Sequence, residues 1–199
     1  THQPYPKADY SLFVAEVAST CNEALMLRSL QKKFTDPKAQ AYLLVDLLEK
    51  FRTTVYRQTM FAEFEKITHE MAWNKEPLTA EVLCDIYYKL NQKYFGEDIV
   101  IDKEIALEWA RIPHFYTPFY VYQYATGYSA AIAISRKILS GDEKAKEGYF
   151  KFLSGGSSMN PIELLRLCDV DMATNEPVES ALKLFGELLD EMEEILKTQ

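Results

Sequence analysis

The stretch FVAEVAST, residues 13–20, combines helical spacing with a single carboxylate among apolar neighbours. Apolar side chains precede and follow Glu16, so the pattern indicates a helix that is apolar nearly all round. Such a helix is expected at the centre of a bundle, where an ionised carboxylate without a partner costs several kcal/mol. The sequence therefore predicts that Glu16 is buried and faces a counter-charge, a metal ion or a proton.

Helical spacing continues along nearly all 199 residues. Runs of alternating β-branched residues between hairpin turns do not occur, and proline and glycine fall at the ends of the periodic segments. The sequence predicts helices over about 11–34, 37–73, 80–95, 102–110 and 117–139, then short ones from 142 and 160 and a last one over 177–196. The predicted class is all-α, a multi-helix bundle in which the helices at 11–34 and 117–139 are central.

Charge and cysteine content limit the classes of function. The chain has 22 basic and 30 acidic residues and a net charge of -8, which disfavours a nucleic acid or an anionic membrane surface as partner. No apolar run reaches the roughly 18 residues of a membrane span. Three cysteines, at positions 21, 84 and 168, form no CxxC pair and are typical of reduced core thiols. We therefore expect a cytoplasmic protein.

The environment of Glu16 allows two interpretations. Helical spacing aligns it with three further polar residues in one stripe, Ser19, Thr20 and Glu23. In the first interpretation the carboxylate pairs with Arg52 or Arg57, and in the second it is a metal ligand. The residues alone leave both interpretations open.

The histidines do not complete a metal site by themselves. A catalytic zinc site needs about three protein ligands, and the chain contains only three histidines. His69-Glu70 does not begin an HExxH motif, because Trp73 occupies the position of the second histidine. We expect His69 to be a surface or partly satisfied histidine.

A second group of polar side chains follows the proline break at residue 113. His114 is followed by several tyrosines, of which Tyr120 and Tyr124 are predicted to share one helix face, with Tyr116 one turn earlier. One interpretation is an aromatic core seam whose hydroxyls are satisfied by neighbours. The other is a set of hydrogen-bond donors to a developing oxyanion.

Four long segments of the sequence together resemble the C-terminal part of the oligoendopeptidase F family, zinc metallopeptidases related to thimet oligopeptidase. They are QPYPKADYSLFVAEVASTCNE at 3–23, FRTTVYRQTMFAEFEKITHE at 51–70, IPHFYTPFYVYQYATGYSAA at 112–131 and FKFLSGGSSMNPIELLRLCDVDM at 150–172. In that family two histidines of an HExxH helix and a glutamate of a following helix hold the zinc. The resemblance implies that Glu16 is this third ligand and that the HExxH segment would fall upstream of Thr1.

The resemblance also implies roles for the aromatic segment. His114 and Tyr124 would donate hydrogen bonds to the tetrahedral intermediate, and Tyr116 and Tyr120 would contact the substrate backbone. Residues 1–199 would form the C-terminal half of a larger helical peptidase domain that cleaves oligopeptides with Zn²⁺. We expect this chain alone, without the N-terminal remainder of the enzyme, to be inactive and to lack zinc. The alternatives are a non-catalytic helical interaction module and a degenerate, inactive relative.

Overall fold

The computed structural model describes residues 2–197, and all regular secondary structure in that range is helical. Its α-helices are α1 (Leu12–Lys33), α2 (Pro37–Lys50), α3 (Arg57–Trp73), α4 (Ala80–Phe95), α5 (Tyr122–Leu139), α6 (Glu143–Leu153), α7 (Pro161–Arg166) and α8 (Glu176–Lys197). Shorter 3₁₀-helices occur at Tyr5–Lys7, Lys103–Arg111 and Pro113–Tyr116, and Phe51–Tyr56 is π-helical. The predicted all-α class is confirmed.

The chain divides into two compact units. The first unit comprises residues 2–51 and 126–197 of the described range, and the second unit is Arg52–Ala125. The first unit contains Glu16, and the second contains His114 and the tyrosines at 116, 120 and 124.

The core of the first unit is built around α5. Every residue from Gly127 to Ser135 is buried, as expected for a helix that is apolar all round. By contrast, α1 buries a single stripe at helical spacing, consisting of Val14, Val17, Cys21, Ala24 and Leu27. The predicted central position of α1 is therefore wrong. Large apolar residues outside this stripe remain partly or largely exposed, including Leu12 at 61% and Met26 at 57%.

The thiols of the first unit lie in this core. Cys21 and Cys168 are both fully buried and unpaired. Burial raises the pKa of Cys21 to about 11 and the pKa of Cys168 to about 12, because the charged thiolate is poorly solvated there. These two cysteines are the reduced core thiols that the sequence predicts.

The long helix predicted over 37–73 consists of three segments in direct succession. Asp36 caps α2 by accepting a hydrogen bond from the Ala39 backbone N–H at 3.0 Å, and Pro37 occupies the first turn. The π-helical turn of Phe51–Tyr56 then separates α2 from α3. Wider turns of this type have no simple sequence signature, so the sequence predicted continuous helix there.

The second unit has an aromatic core formed by α3, α4 and the 3₁₀-helix Lys103–Arg111. Rings of Phe61, Phe64 and Tyr87 pack at 5.3 to 6.3 Å between centroids. The Trp109 indole lies 6.4 Å from the Phe64 ring and its Nε1–H donates to Cys84 Sγ at 3.4 Å. Trp73, at the end of α3, is instead 87% exposed.

Residues 117–121 are not helical, so the predicted helix start at Thr117 is wrong and α5 begins at Tyr122. Thr117 has extended dihedrals (φ -116°, ψ 95°), which is the conformation that a following proline favours. Phe119 then adopts a left-handed conformation with φ 56°. Tyr120 consequently lies outside the helix that carries Tyr124.

Within residues 2–197, no helix has both the length and the apolar character needed to cross a membrane.

Candidate functional site

Three polar aromatic side chains of the second unit form a compact cluster. The Tyr124 hydroxyl lies 3.2 Å from His114 Nε2 and donates to the Tyr120 hydroxyl, also at 3.2 Å. The His114 and Tyr120 rings are nearly parallel, with centroids 5.9 Å apart and an interplanar angle of 4°. The Tyr124 ring stands almost perpendicular to both. We call His114, Tyr120 and Tyr124 the His-Tyr cluster.

All three members of the His-Tyr cluster are half-buried. A core seam would bury its hydroxyls, whereas here the side chains still reach the protein surface. The cluster therefore presents up to three O–H or N–H donors at one place, an arrangement that can bind a developing negative charge. The sequence predicted these residues correctly as neighbours, although not their backbone conformation.

Tyr116 does not belong to the His-Tyr cluster. Tyr116 is 84% exposed, and its side chain makes no hydrogen bond or ring contact within the described range 2–197. The 3₁₀-helix Pro113–Tyr116 directs it away from the core, while the preceding residue, Phe115, packs against Phe61 and Phe64. Tyr116 is thus available to an external group.

A buried carboxylate supports the loop before α5. Glu65 is 5% exposed, and its Oε1 accepts a hydrogen bond from the Phe119 backbone N–H at 2.7 Å. The Phe119 ring packs on the His69 ring at 4.6 Å. His69 is exposed, as the sequence predicted.

Glu65 is not among the residues predicted from the sequence, although a signal for it was present. Three apolar residues at helical spacing accompany it on α3, Met60, Phe61 and Phe64, and all are buried. A carboxylate on an apolar helix face is the same pattern that predicted burial for Glu16, and at Glu65 it coincides with burial.

A second buried carboxylate holds the 3₁₀-helix that precedes His114. Glu108 is 7% exposed; its Oε1 accepts from Arg57 Nη2 at 2.6 Å and from Arg111 Nη2 at 2.5 Å. Its Oε2 accepts from the Tyr87 hydroxyl at 2.7 Å. Burial alone would raise the pKa of Glu108, but the hydrogen bonds from Tyr87 and Arg57 and the two positive charges outweigh it and lower that pKa. Arg57 therefore pairs with Glu108, a residue that the sequence analysis also missed.

Glu16 is exposed on α1, so the prediction that it is buried is wrong. Its side chain points away from the stripe that faces the core. Within residues 2–197 its carboxylate makes no hydrogen bond or ion pair, in contrast to Glu23, which pairs with Lys50 at 3.1 Å. The carboxylate of Glu16 is thus free to bind a cation.

The donor set for a metal is incomplete in the described part of the chain. Across residues 2–197 no group of three or more His, Cys, Asp or Glu side chains could hold a metal ion. A catalytic zinc site needs about three protein ligands, with histidine and carboxylate as common types. Glu16 fits as one carboxylate ligand of such a site, and the remaining ligands would have to come from outside the described residues.

The sequence of this chain is similar to those of a family of peptidases. The profile described as "Peptidase family M3" matches residues 1–184. "Oligopeptidase PepF" of Bacillus subtilis (strain 168) is 58% identical over 195 residues, which are 98% of this chain and 29% of that protein. "Oligoendopeptidase F, chromosomal" of Lactococcus lactis subsp. cremoris is 43% identical over 196 residues, 98% of this chain and 33% of that protein.

A solved structure is also similar. The crystal structure of oligoendopeptidase-F from Enterococcus faecium matches with a TM-score of 0.91 at 43% identity. The match covers 96% of this chain and 36% of that one. The chain thus spans about a third of the length of the relatives it matches.

Proposed function

This chain belongs to peptidase family M3, and we propose that residues 1–199 form the C-terminal part of the catalytic domain of a zinc metallopeptidase. The reaction is hydrolysis of peptide bonds in oligopeptides, which is the activity that the names of the relatives describe. The observation that carries the proposal is the His-Tyr cluster, in which Tyr124 lies within hydrogen-bond distance of both His114 and Tyr120. The remainder of the enzyme, on the N-terminal side, is its obligatory partner.

Glu16 is the proposed metal ligand of this chain. Its exposed carboxylate without a hydrogen-bond partner in the described range supports this role, because ligation would then displace no internal contact. When bound, zinc supplies Lewis-acid polarisation of the scissile carbonyl. By resemblance to the family, two histidines and a general-base glutamate come from an HExxH helix upstream.

His114 and Tyr124 are the proposed donors to the oxyanion of the tetrahedral intermediate. The Tyr124 proton that points to Tyr120 turns to the oxyanion, and His114 donates from its Nε2 nitrogen. The nearly parallel stacking of Tyr120 on His114 limits the imidazole to one plane, so little reorganisation is needed when negative charge develops. Tyr120 and the exposed Tyr116 contact the backbone of the oligopeptide substrate.

The same proposal places the enzyme in the cytoplasm and gives it no nucleic-acid or membrane partner. The acidic net charge of -8 and the unpaired, buried Cys21 and Cys168 support this assignment. Without the upstream ligands, the chain by itself binds zinc weakly and has no peptidase activity.

The test compares this chain with a version extended upstream through the expected HExxH segment. Zinc content and cleavage of a quenched fluorescent oligopeptide are measured for both, and for the extended version carrying Glu16→Gln. We expect only the extended version with Glu16 to hold about one zinc ion and to cleave the peptide in a chelator-sensitive manner. Absence of cleavage by the extended version would favour a degenerate relative or a non-catalytic helical module.

A further inference from the structure

We infer that Glu65 is a positioning residue, whose buried carboxylate fixes the loop at Phe119 and thereby the geometry of the His-Tyr cluster. The catalytic consequence of this role rests on the proposed function, whereas its effect on the loop does not. No part of the family resemblance assigns a role to this residue.

The conformation of Phe119 is the first observation. Its φ of 56° lies in the left-handed region, which is unfavourable for a bulky side chain and requires support from its surroundings. The preceding Pro118 cannot donate a backbone hydrogen bond, so the first available N–H after it is that of Phe119. This N–H is the group that Glu65 binds.

The burial of Glu65 is the second observation. A carboxylate that is only 5% exposed must be hydrogen-bonded to be tolerated, and Phe119 supplies a short bond of 2.7 Å. Glu65 belongs to α3, a regular helix anchored in the aromatic core. The loop is therefore tied to a rigid element at the residue with the strained backbone.

The position of Phe119 in the chain is the third observation. It directly precedes Tyr120, whose ring lies parallel to that of His114 and whose hydroxyl accepts a hydrogen bond from the Tyr124 hydroxyl. A change of φ at Phe119 from left-handed to right-handed would redirect the chain and move Tyr120 away from both partners. The hydrogen bond to Glu65 thus holds Phe119 in the conformation that places Tyr120 beside His114 and Tyr124.

Glu63 provides a matched control on the same helix. Its carboxylate accepts from Lys93 Nζ at 2.6 Å and from the Tyr94 hydroxyl at 2.9 Å, so it links α3 to α4 without touching the loop. Replacing Glu63 tests the general cost of losing a carboxylate from α3. Replacing Glu65 adds the specific loss of the loop contact.

Amide hydrogen exchange of the present chain tests the contact directly. We expect E65L to accelerate exchange at the Phe119 N–H by roughly 10- to 100-fold, which corresponds to losing a hydrogen bond to a charged acceptor. E65Q keeps a carbonyl acceptor and most of the protection, and E63L leaves Phe119 unaffected. The NMR signals of the His114 ring should shift in E65L only, because the stacked Tyr120 ring moves. Equal exchange at Phe119 in E65L and the wild type would overturn the inference.

A double-mutant cycle separates positioning from simple destabilisation. Glycine adopts positive φ without strain, so F119G should restore part of what E65L loses if Glu65 acts by holding this conformation. In the extended enzyme we expect E65L to lower kcat by roughly 10- to 100-fold with a smaller effect on KM. The E65L/F119G variant should recover part of kcat, and E65Q most of it.

The outcomes distinguish the inference from the proposed function. If the extended wild type cleaves no peptide, the proposed function fails, while exchange at Phe119 and the His114 signals still support or overturn the loop contact. If the wild type is active and E65L loses Phe119 protection with unchanged kcat, the positioning role is wrong. Failure of F119G to recover any kcat in E65L would assign Glu65 to general stability alone.

Discussion

The two regions that carry proposed functional residues are built in opposite ways. Glu16 projects from the exposed face of a regular, 22-residue helix and has no partner in the described chain. His114 lies on the short 3₁₀-helix Pro113–Tyr116 and Tyr120 on the non-helical segment after it; two buried carboxylates, Glu108 and Glu65, bind the chain before and after them. In the first region the proposed metal ligand needs only the exposed face of a helix, whereas in the second the proposed oxyanion donors depend on a network of hydrogen bonds.

This difference between the two regions predicts that a substitution at Glu16 affects metal binding alone, whereas a substitution at Glu65 or Glu108 also affects the stability of the fold. A carboxylate that contacts nothing in the described chain can be replaced without cost to the fold. A carboxylate that supports irregular backbone cannot be replaced in this way, because its hydrogen bonds stabilise a conformation that local sequence does not favour. The predictions below test this contrast.

The largest expected effect is the loss of the proposed oxyanion donor in the second region. Tyr124→Phe in the extended enzyme should lower kcat by roughly 10²- to 10³-fold, with a smaller change in KM, because the hydroxyl acts mainly in the transition state. The control is Tyr42→Phe on α2, whose side chain is exposed in this chain. Steady-state kinetics with a quenched peptide measure both variants, and unchanged kcat in Tyr124→Phe would refute the role.

In the first region, Glu16→Gln should remove metal binding and leave folding intact. We expect zinc affinity of the extended enzyme to fall by more than about 100-fold, since even partners outside the ligand set affect affinity by 10- to 100-fold. The free energy of unfolding of the present chain should change by less than about 0.5 kcal/mol. Metal analysis and urea unfolding report the two quantities, and a large loss of stability would contradict the exposed position of Glu16.

Glu108→Gln should show the reverse behaviour, with a loss of stability at neutral pH. Hydrogen bonds to charged groups contribute roughly 1.5–3 kcal/mol, and the amide replaces the ionic acceptor of Arg57 and Arg111. Because the folded-state pKa of Glu108 is below the unfolded value of about 4.3, this stabilisation is present above that pH. It is lost as the pH falls through the folded-state pKa.

Unfolding by urea between pH 7 and pH 3 measures this dependence. The difference in unfolding free energy between the wild type and Glu108→Gln should shrink toward acidic pH. A difference that stays constant over this range would mean that the charge of Glu108 contributes nothing to the network.

The smallest expected effects concern two helical glycines of the first unit, which test how closely its regular helices pack. A Cβ at Gly148 would lie 1.9 Å from the Leu167 carbonyl oxygen, so Gly148→Ala should destabilise by about 1–3 kcal/mol. A Cβ at Gly127 would meet Phe13 and Val17 at 3.7 Å, an ordinary contact. Gly127→Ala should therefore stabilise by up to about 1 kcal/mol through helix propensity. Thermal unfolding distinguishes the two, and equal effects would contradict the close approach of Gly148 to the Leu167 carbonyl.

The regular elements were predictable because their signals are local. The capping residues Ser11, Asp36 and Thr79 each accept the hydrogen bond expected at a helix start. The burial of individual residues on α1 was less predictable, because the many apolar residues around Glu16 resemble those of a helix at the centre of a bundle. Which side of α1 faces the core depends on tertiary packing, and exposed apolar residues such as Leu12 and Met26 conceal the difference in the sequence.

That His114, Tyr120 and Tyr124 lie together was predictable from the sequence, whereas their backbone conformation was not. Proline at 113 indicated a break in the helix near His114. The left-handed backbone at position 119 could not be predicted, because the residue there is Phe and not the glycine or asparagine typical of that conformation. The hydrogen bond that Glu65 accepts from Phe119 joins residues 54 positions apart, and the one that Glu108 accepts from Arg57 joins residues 51 positions apart. Helical periodicity does not reveal contacts between residues so distant in sequence. The polar network that supports the loop is thus a product of the tertiary structure.

The placement of the two tryptophans has a practical consequence for optical measurements. Trp73 and Trp109 both belong to the second unit, and one is exposed while the other donates to the Cys84 thiol. Intrinsic tryptophan emission consequently reports on residues 52–125 and is silent about the unit that carries Glu16. Comparing that emission with far-ultraviolet circular dichroism, which detects every helix, would show whether the two units unfold in one transition or in two.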